Sequence, residues 1–570
     1  MNWNLSDLGV SDFGAELAQV LARAQQFGAN RTRLEANITA QDFYALVHEL
    51  EALSAQASRI YAQVSLRFAT DTQDPLIQAE LAQVQEAAAE LQNLTLFFTL
   101  WWKDLDQTNA DRLLSEAGDY QYWLTRLRAY KPYTLSEAEE RVINLKDTTG
   151  SGFLSNFYDL VTGRYAFNFE GQELTRGELA VHFRSPDPTR RAAAYQENFR
   201  VYGQEAPVLG SIYSALVRDW KNENLTMRGF SSPIAARNLG NDIPDGAVEA
   251  LLEAAVAGAP VFQEYFRKKA QKLGVAQLRR YDIYAPVGEV ERAYSFEEAQ
   301  ATVLTAFAEF DSEFANHAKK VFAASHIDSE VKKGKRGGAF CYSVTPTEVP
   351  YVMLNFQGQA DDVATMAHEL GHAVHTLFAR EHSLFTFHAP LPLAESASTF
   401  GEMILLDRFM AEADPATQTA LRFKQLDDNY ATILRQAYFA IFERDAHARI
   451  AQGASTPELS QLYLENLRSQ FGDSLDLSDD FQHEWVSIPH IFHTPFYVYA
   501  YSFGQLLVLA LYQRYREEGP EFIPVLKRIL SAGGSVAPAE LLHREGFEIE
   551  EPEFWAGGFK LLESWVKELR

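Results

Sequence analysis

Helical periodicity in long runs constrains this chain more than any other feature. Between about residues 13 and 130, alanine, leucine, glutamate and glutamine dominate, as in AELAQVLARAQQF (15–27) and IQAELAQVQEAAAELQNL (77–94). Apolar residues recur there at helical spacing, which predicts long helices paired as antiparallel hairpins. Ser136 followed three residues later by Glu139 reads as a capping-box start of a further helix. Helical patterns resume near 190 and 246 and dominate from Asp361 to the C-terminus. Strand signals are few: a strand-turn-strand around Gly171, a strand-and-loop stretch at 280–295, and VPYVMLNF at 349–356. The pattern divides into a helical-hairpin region (1–125), a connecting α/β segment (126–200) and a long remainder (201–570). The expected fold class is mostly α with a small β-sheet.

At 570 residues the chain exceeds what one simple core serves, so more than one lobe is expected. Its net charge of -26 repels phosphate backbones and anionic headgroups, which argues against nucleic acid or membrane as main partner. The apolar run LTLFFTLWW (94–102) ends at Lys103, well short of the roughly 20 residues that a membrane span needs. The N-terminus carries acidic residues before any apolar stretch, unlike a secretory leader. A single cysteine, Cys341, excludes an intrachain disulfide and points to a reducing, cytoplasmic setting. Cys341 itself reads as a small buried hydrophobe.

Within this helical chain, ATMAHELGHAVH (364–375) concentrates three histidines and a glutamate. On a helix, His368 and His372 stand one turn apart on one face, able to share a metal ion, with Glu369 angled toward a water on that ion. His375 falls a further turn along and reads as a supporting or core residue. The dipeptide alone is uninformative: His48-Glu49 and His483-Glu484 repeat it, but Ala52 and Ser487 occupy the positions where a second histidine is needed. Gly371 permits close approach of another backbone. Asp361 reads either as the helix N-cap or as a carboxylate that orients a ligand.

A catalytic zinc takes three protein ligands and keeps a fourth position open. Downstream, AESASTFGE carries Glu395, 23 residues after His372, and Glu402 on the same face of an apolar helical pattern. Buried carboxylates need partners, so Glu395 is assigned as the third ligand and Glu402 as an acceptor for a ligand imidazole.

These motifs resemble the thimet oligopeptidase family of zinc metallopeptidases, most closely its oligoendopeptidase F branch. RGGAFCYS (336–343), HTPFYVYAYSFG (493–504) and LSAGGS (530–535) with PEFW (552–555) resemble that branch as well. The similarity is close from about 200 to 570 and more diffuse before. It implies an elongated, two-lobed helical fold with a deep substrate channel, one Zn2+ ion, and oligopeptide substrates. It assigns 201–570 as the catalytic domain and gives His490 and Tyr501 a role in the transition state. Tyr497 and Gly338 are carried as substrate-binding candidates. From local signals alone, Thr494 and Pro495 read as N-cap and first position of the tyrosine-bearing helix, with Tyr497 and Tyr501 on one face and Tyr499 opposite. The thimet branch instead has a glycine-rich turn bearing a further tyrosine near Thr494 and Pro495.

The expected activity is endopeptidase hydrolysis of short peptides by a metal-activated water, with Glu369 as general base. The strand at 349–356 and the RGGAF stretch suit either pairing with an extended substrate or a structural hairpin. A carboxypeptidase or dipeptidyl carboxypeptidase is the alternative enzyme, needing a cation for the substrate C-terminus. A peptide-binding protein with a structural metal fits less well, because closed zinc sites commonly draw on several cysteines.

Overall fold

The computed structural model describes residues 2–288 and 292–569. They form a mostly helical protein whose strands are short and confined to sheets of two or three. Two compact units are each assembled from three stretches of chain. The first comprises Met1–Lys131, Glu291–Ala411 and Arg514–Glu545, the second Pro132–Val290, Glu412–Gln513 and Gly546–Arg570. Residues 201–570 contribute to both.

In the first unit the long helices Phe13–Gly28, Ala40–Thr70 and Pro75–Asp104 pack on one another. Each begins at a capping side chain: Asp12 accepts from the Ala15 N–H, Thr39 from Asp42, and Asp74 from Leu76 and Ile77 with Pro75 following. Their inward stripes meet in two clusters, one aliphatic around Val20, Ile60 and Val64, the other aromatic, where Phe43 stacks on Trp102 with centroids 5.3 Å apart.

The same unit holds a three-stranded sheet. Tyr351–Met353 lies in its centre, fully buried, parallel to Ile327–Asp328 and antiparallel to Phe340–Tyr342. Only three residues of the 349–356 run are strand, and the RGGAF stretch leads into the edge strand beside them. This sheet packs against the helix Ala360–Phe378, which carries the His-Glu-x-x-His motif.

The second unit contains the strand-turn-strand at Phe167–Phe169 and Gln172–Leu174, with Glu170 and Gly171 both at positive φ, as a tight hairpin turn demands. The 280–295 stretch is a single helical turn at Arg280–Asp282 followed by loop, and positions 289–291 lie outside the described residues. Glu484, from the second discarded His-Glu dipeptide, is a core ion. It accepts from Arg280 and Arg435 at 3.0 Å each and from the Tyr463 hydroxyl at 2.8 Å.

Candidate active site

The motif helix starts two residues before the point where an Asp361 cap would put it. Gln359 occupies the cap position, and Asp362 accepts the backbone N–H groups of Gln357 and Gln359 at 2.9 Å each. Asp361 is exposed within the first turn, so the N-cap reading of Asp361 does not hold. The loop before the helix folds back over its third residue, which makes Asp362 the useful acceptor.

Gly371 determines how the helix meets its partner. A Cβ there would lie 2.5 Å from the Ser398 Cα and 2.6 Å from the Ala397 carbonyl oxygen. The helix Ser396–Glu412 thus crosses the motif helix backbone to backbone, and Glu395 just before it is delivered beside the two histidines.

The resulting cluster is tight. Nε2 atoms of His368 and His372 are 3.2 Å apart, and Glu395 Oε2 lies 3.4 and 3.5 Å from them. One ligand atom from each residue falls within 4.8 Å of the others. Two imidazole nitrogens and one carboxylate oxygen are a donor set suited to zinc, with a coordination position left for another group. The far nitrogen of His368 meets Glu402 Oε1 at 2.5 Å, and the Ser398 hydroxyl donates to Glu395 Oε2 at 2.8 Å. Both contacts hold the orientation of the His368 and Glu395 side chains. Burial would lower the His368 pKa, but the Glu402 bond and the nearby carboxylates raise it to about 9.

Glu369 is buried beside this cluster and accepts the backbone N–H of Cys341 on the edge strand. Burial pushes its carboxyl up to about 7, with His368 opposing and Glu395 and Glu402 reinforcing. His375 is buried too, which lowers it to about 4. A cavity of about 620 Å³ opens here, lined by Phe340, Cys341 and Tyr342 along the edge strand and by His368, Glu369 and His372 below. The Cys341 thiol is driven well above its ordinary pKa by burial and by the Glu369 charge. Gly338, at φ 79°, adjoins the lining residue Ala339, and its carbonyl accepts from Asn355 at 2.8 Å.

The lining from Phe387 to Ala389 has supports that local sequence signals do not reveal. Asp119 meets His382 Nδ1 at 2.6 Å and accepts from the Ser383 N–H at 2.5 Å and the Thr386 hydroxyl at 2.6 Å. From behind, the Gly534 N–H donates to the Thr386 carbonyl at 2.7 Å, and a Cβ on Gly534 would sit 2.3 Å from the His388 carbonyl oxygen. Gly533 and Gly534 lie in the loop between helices Ile523–Ser531 and Pro538–Arg544, and their lack of a side chain allows this contact. The long separation of Asp119 from its partners hides the clamp from any local pattern.

His490, Tyr497 and Tyr501 lie together in the second unit. The Tyr497 and Tyr501 rings are 5.2 Å apart edge to face, and His490 is 6.4 and 6.0 Å from them. Burial, with the charges of His493 and Arg435, holds His490 below its ordinary pKa. The helix that carries Tyr501 begins at Tyr499, not at Thr494 and Pro495. Thr494 ends the short helix Pro489–His493, and the chain turns at Phe496, whose φ is 58°. Tyr497 therefore precedes the helix. Tyr499 is buried, its hydroxyl accepting from Asn241 at 2.9 Å.

Two histidines one helical turn apart and a carboxylate brought to them by a second helix are how helical proteins build a hydrolytic metal site, and the class so defined is the metallopeptidases. The chain belongs to peptidase family M3, a family of zinc metallopeptidases, whose model matches residues 181–561, while the Oligopeptidase F model matches 101–167. It is a metalloendopeptidase of the oligoendopeptidase F kind. An oligoendopeptidase F homologue of Lactococcus lactis subsp. lactis is 25% identical over 93% of this chain and 90% of its own length. Oligopeptidase PepF of Bacillus subtilis is 23% identical over 100% of this chain and 86% of its own. Oligoendopeptidase-F from Enterococcus faecium shares the fold at a TM-score of 0.72, with 21% identity and 97% of each chain covered. No helix among the described residues is long and apolar enough to cross a membrane.

Proposed function

We propose that this protein is a zinc-dependent endopeptidase that cleaves internal bonds of short oligopeptides, with Glu369 as general base. The observation that carries this reading is the convergence of His368, His372 and Glu395 on one point beside the buried Glu369. When bound, zinc supplies a Lewis acid that polarises a carbonyl and brings the pKa of water to about 7. His368, His372 and Glu395 would hold it, with Glu402 and Ser398 fixing their orientation.

Glu369 has the position and the raised pKa of a group that takes a proton from water and returns it to the leaving amine. The edge strand Phe340–Tyr342 offers backbone groups to an extended peptide, with Gly338 giving the approach to it room. The family resemblance assigns His490 and Tyr501 as hydrogen-bond donors to the oxyanion, a role in which one donor contributes roughly 3 to 4 kcal/mol. Tyr497 is assigned to substrate contact on the same ground. The single cysteine supports a cytoplasmic, reducing setting.

The test is Glu369→Gln assayed on an internally quenched peptide amidated at its C-terminus. The wild type should cleave it, since an endopeptidase needs no free carboxylate. The variant should retain zinc and lose hydrolysis by three or more orders of magnitude. Full hydrolysis by a zinc-replete variant would refute the general-base role, and no cleavage by the wild type would refute the endopeptidase mode.

A further inference from the structure

The turn between helices Pro489–His493 and Tyr499–Glu518 has His490 on one side and Tyr497 and Tyr501 on the other. At its centre Phe496 has φ 58°, a conformation that a residue with a Cβ keeps only when its surroundings hold it there. Three contacts do so. The Phe496 ring is fully buried, 4.7 Å from the His447 ring. The Pro495 carbonyl accepts from Arg237 Nε at 2.9 Å. The Phe496 N–H donates to Glu443 Oε1 at 3.0 Å.

Glu443 stands on the helix Arg435–Ala451, wholly buried, and this is its one hydrogen bond among the described residues. Its other oxygen, both ring nitrogens of His447 and the Tyr213 hydroxyl have no protein partner there. A buried carboxyl so poorly satisfied is a liability to stability that an apolar residue would remove. What the apolar residue could not do is accept the Phe496 N–H. Burial pushes the Glu443 carboxyl up to about 8 against the opposing pull of that N–H and of Arg237, and in either protonation state an oxygen is left to accept the Phe496 N–H.

We propose that Glu443 is a positioning residue for the tyrosine segment: by accepting the Phe496 N–H it holds the left-handed turn that places Tyr501 in the first turn of the following helix. The proposal rests on the reading of Tyr501 as a transition-state donor. Without the acceptor, Phe496 relaxes toward an ordinary φ and the first turn of the following helix rotates. Glutamine keeps a carbonyl oxygen in the same place, whereas leucine fills the space and removes it.

The experiment compares zinc-loaded Glu443→Gln, Glu443→Leu, Tyr501→Phe and the Glu443→Leu/Tyr501→Phe double variant by steady-state kinetics on a quenched peptide. Glu443→Gln should stay within threefold of wild type. Glu443→Leu should lose at least tenfold in kcat with KM within twofold. In the Tyr501→Phe background the leucine change should cost no more than about twofold, because its effect runs through Tyr501. A wild-type kcat for Glu443→Leu, losses that multiply in the double variant, or equal loss in the glutamine variant would each overturn the proposal. If neither Glu443→Leu nor Glu443→Met unfolds cooperatively, Glu443 is a stability residue and the positioning role is likewise overturned. A normal kcat for Tyr501→Phe would refute the donor reading itself, and this proposal with it. An impaired Tyr501→Phe beside a normal Glu443→Leu would refute this proposal alone.

Discussion

His368 Nδ1 lies 2.5 Å from Glu402 Oε1, while its Nε2 faces Glu395 Oε2 at 3.4 Å. One ring is thus held at both ends by carboxylates from the same stretch of chain. The outer carboxylate fixes the tautomer and makes the inner nitrogen more basic. Glu402→Ala should weaken zinc binding about 10- to 100-fold, measured by competition with a chromogenic chelator, with little change in thermal midpoint of the metal-free protein.

Gly371 argues for a second substitution. Alanine there would push a methyl group into the Ser398 Cα and the Ala397 carbonyl, and neither can rotate away. Gly371→Ala should destabilise the fold by about 1 to 3 kcal/mol, and more if the helices cannot part. Because the displaced chain is the one that delivers Glu395, zinc stoichiometry should fall as well. Unchanged stability with full zinc content would refute the account.

The contrast between what was legible and what was not follows sequence distance. The long helices and their caps are local, and the Ser136 and Glu139 capping box forms as its spacing requires. The pair His368 and His372 is local, and Glu395, which the fold brings beside them, is only 23 residues further on. Asp119 could not be found this way, since its partners lie more than 260 residues away and it is one of 77 acidic residues. The helix start at Thr494 and Pro495 was misread for a related reason. Those residues suit a cap, but Glu443 draws the Phe496 N–H elsewhere and delays the helix to Tyr499. Asp361 and Asp362 are equivalent by composition, and only the path of the preceding loop distinguishes them.

Asp119 gives a pH-dependent prediction. Burial would raise its pKa, but the Thr386 hydroxyl, the Ser383 N–H and His382 together hold it below the ordinary carboxylate range. A depressed folded-state pKa means stability that is fully present above the unfolded value of about 3.9 and is lost as pH falls through the folded value. Asp119→Asn should cost about 1 to 2 kcal/mol at pH 7, a figure already reduced for partial exposure. The gap between variant and wild type should narrow below pH 4 in urea unfolding. A gap that widens on acidification would have the wrong sign.

Glu484 gives the last prediction, because it is the acid shared by Arg280 and Arg435. Burial opposes its charge, yet the two guanidinium groups and the Tyr463 hydroxyl outweigh that and hold its pKa below the ordinary value. Arg280 is only 1% exposed, so it has no water to turn to if the carboxylate is removed. Its guanidinium sits over the Phe481 and Phe471 rings at 4.7 and 5.6 Å, contacts that attract a cation but do not neutralise it. Glu484→Ala should therefore destabilise the protein by about 3 to 5 kcal/mol, the cost of stranding a buried charge. Replacing Arg280 by methionine as well should recover part of that loss, since the stranded charge leaves with it. A double variant less stable than Glu484→Ala would show that Arg280 contributes mainly through packing on the two rings.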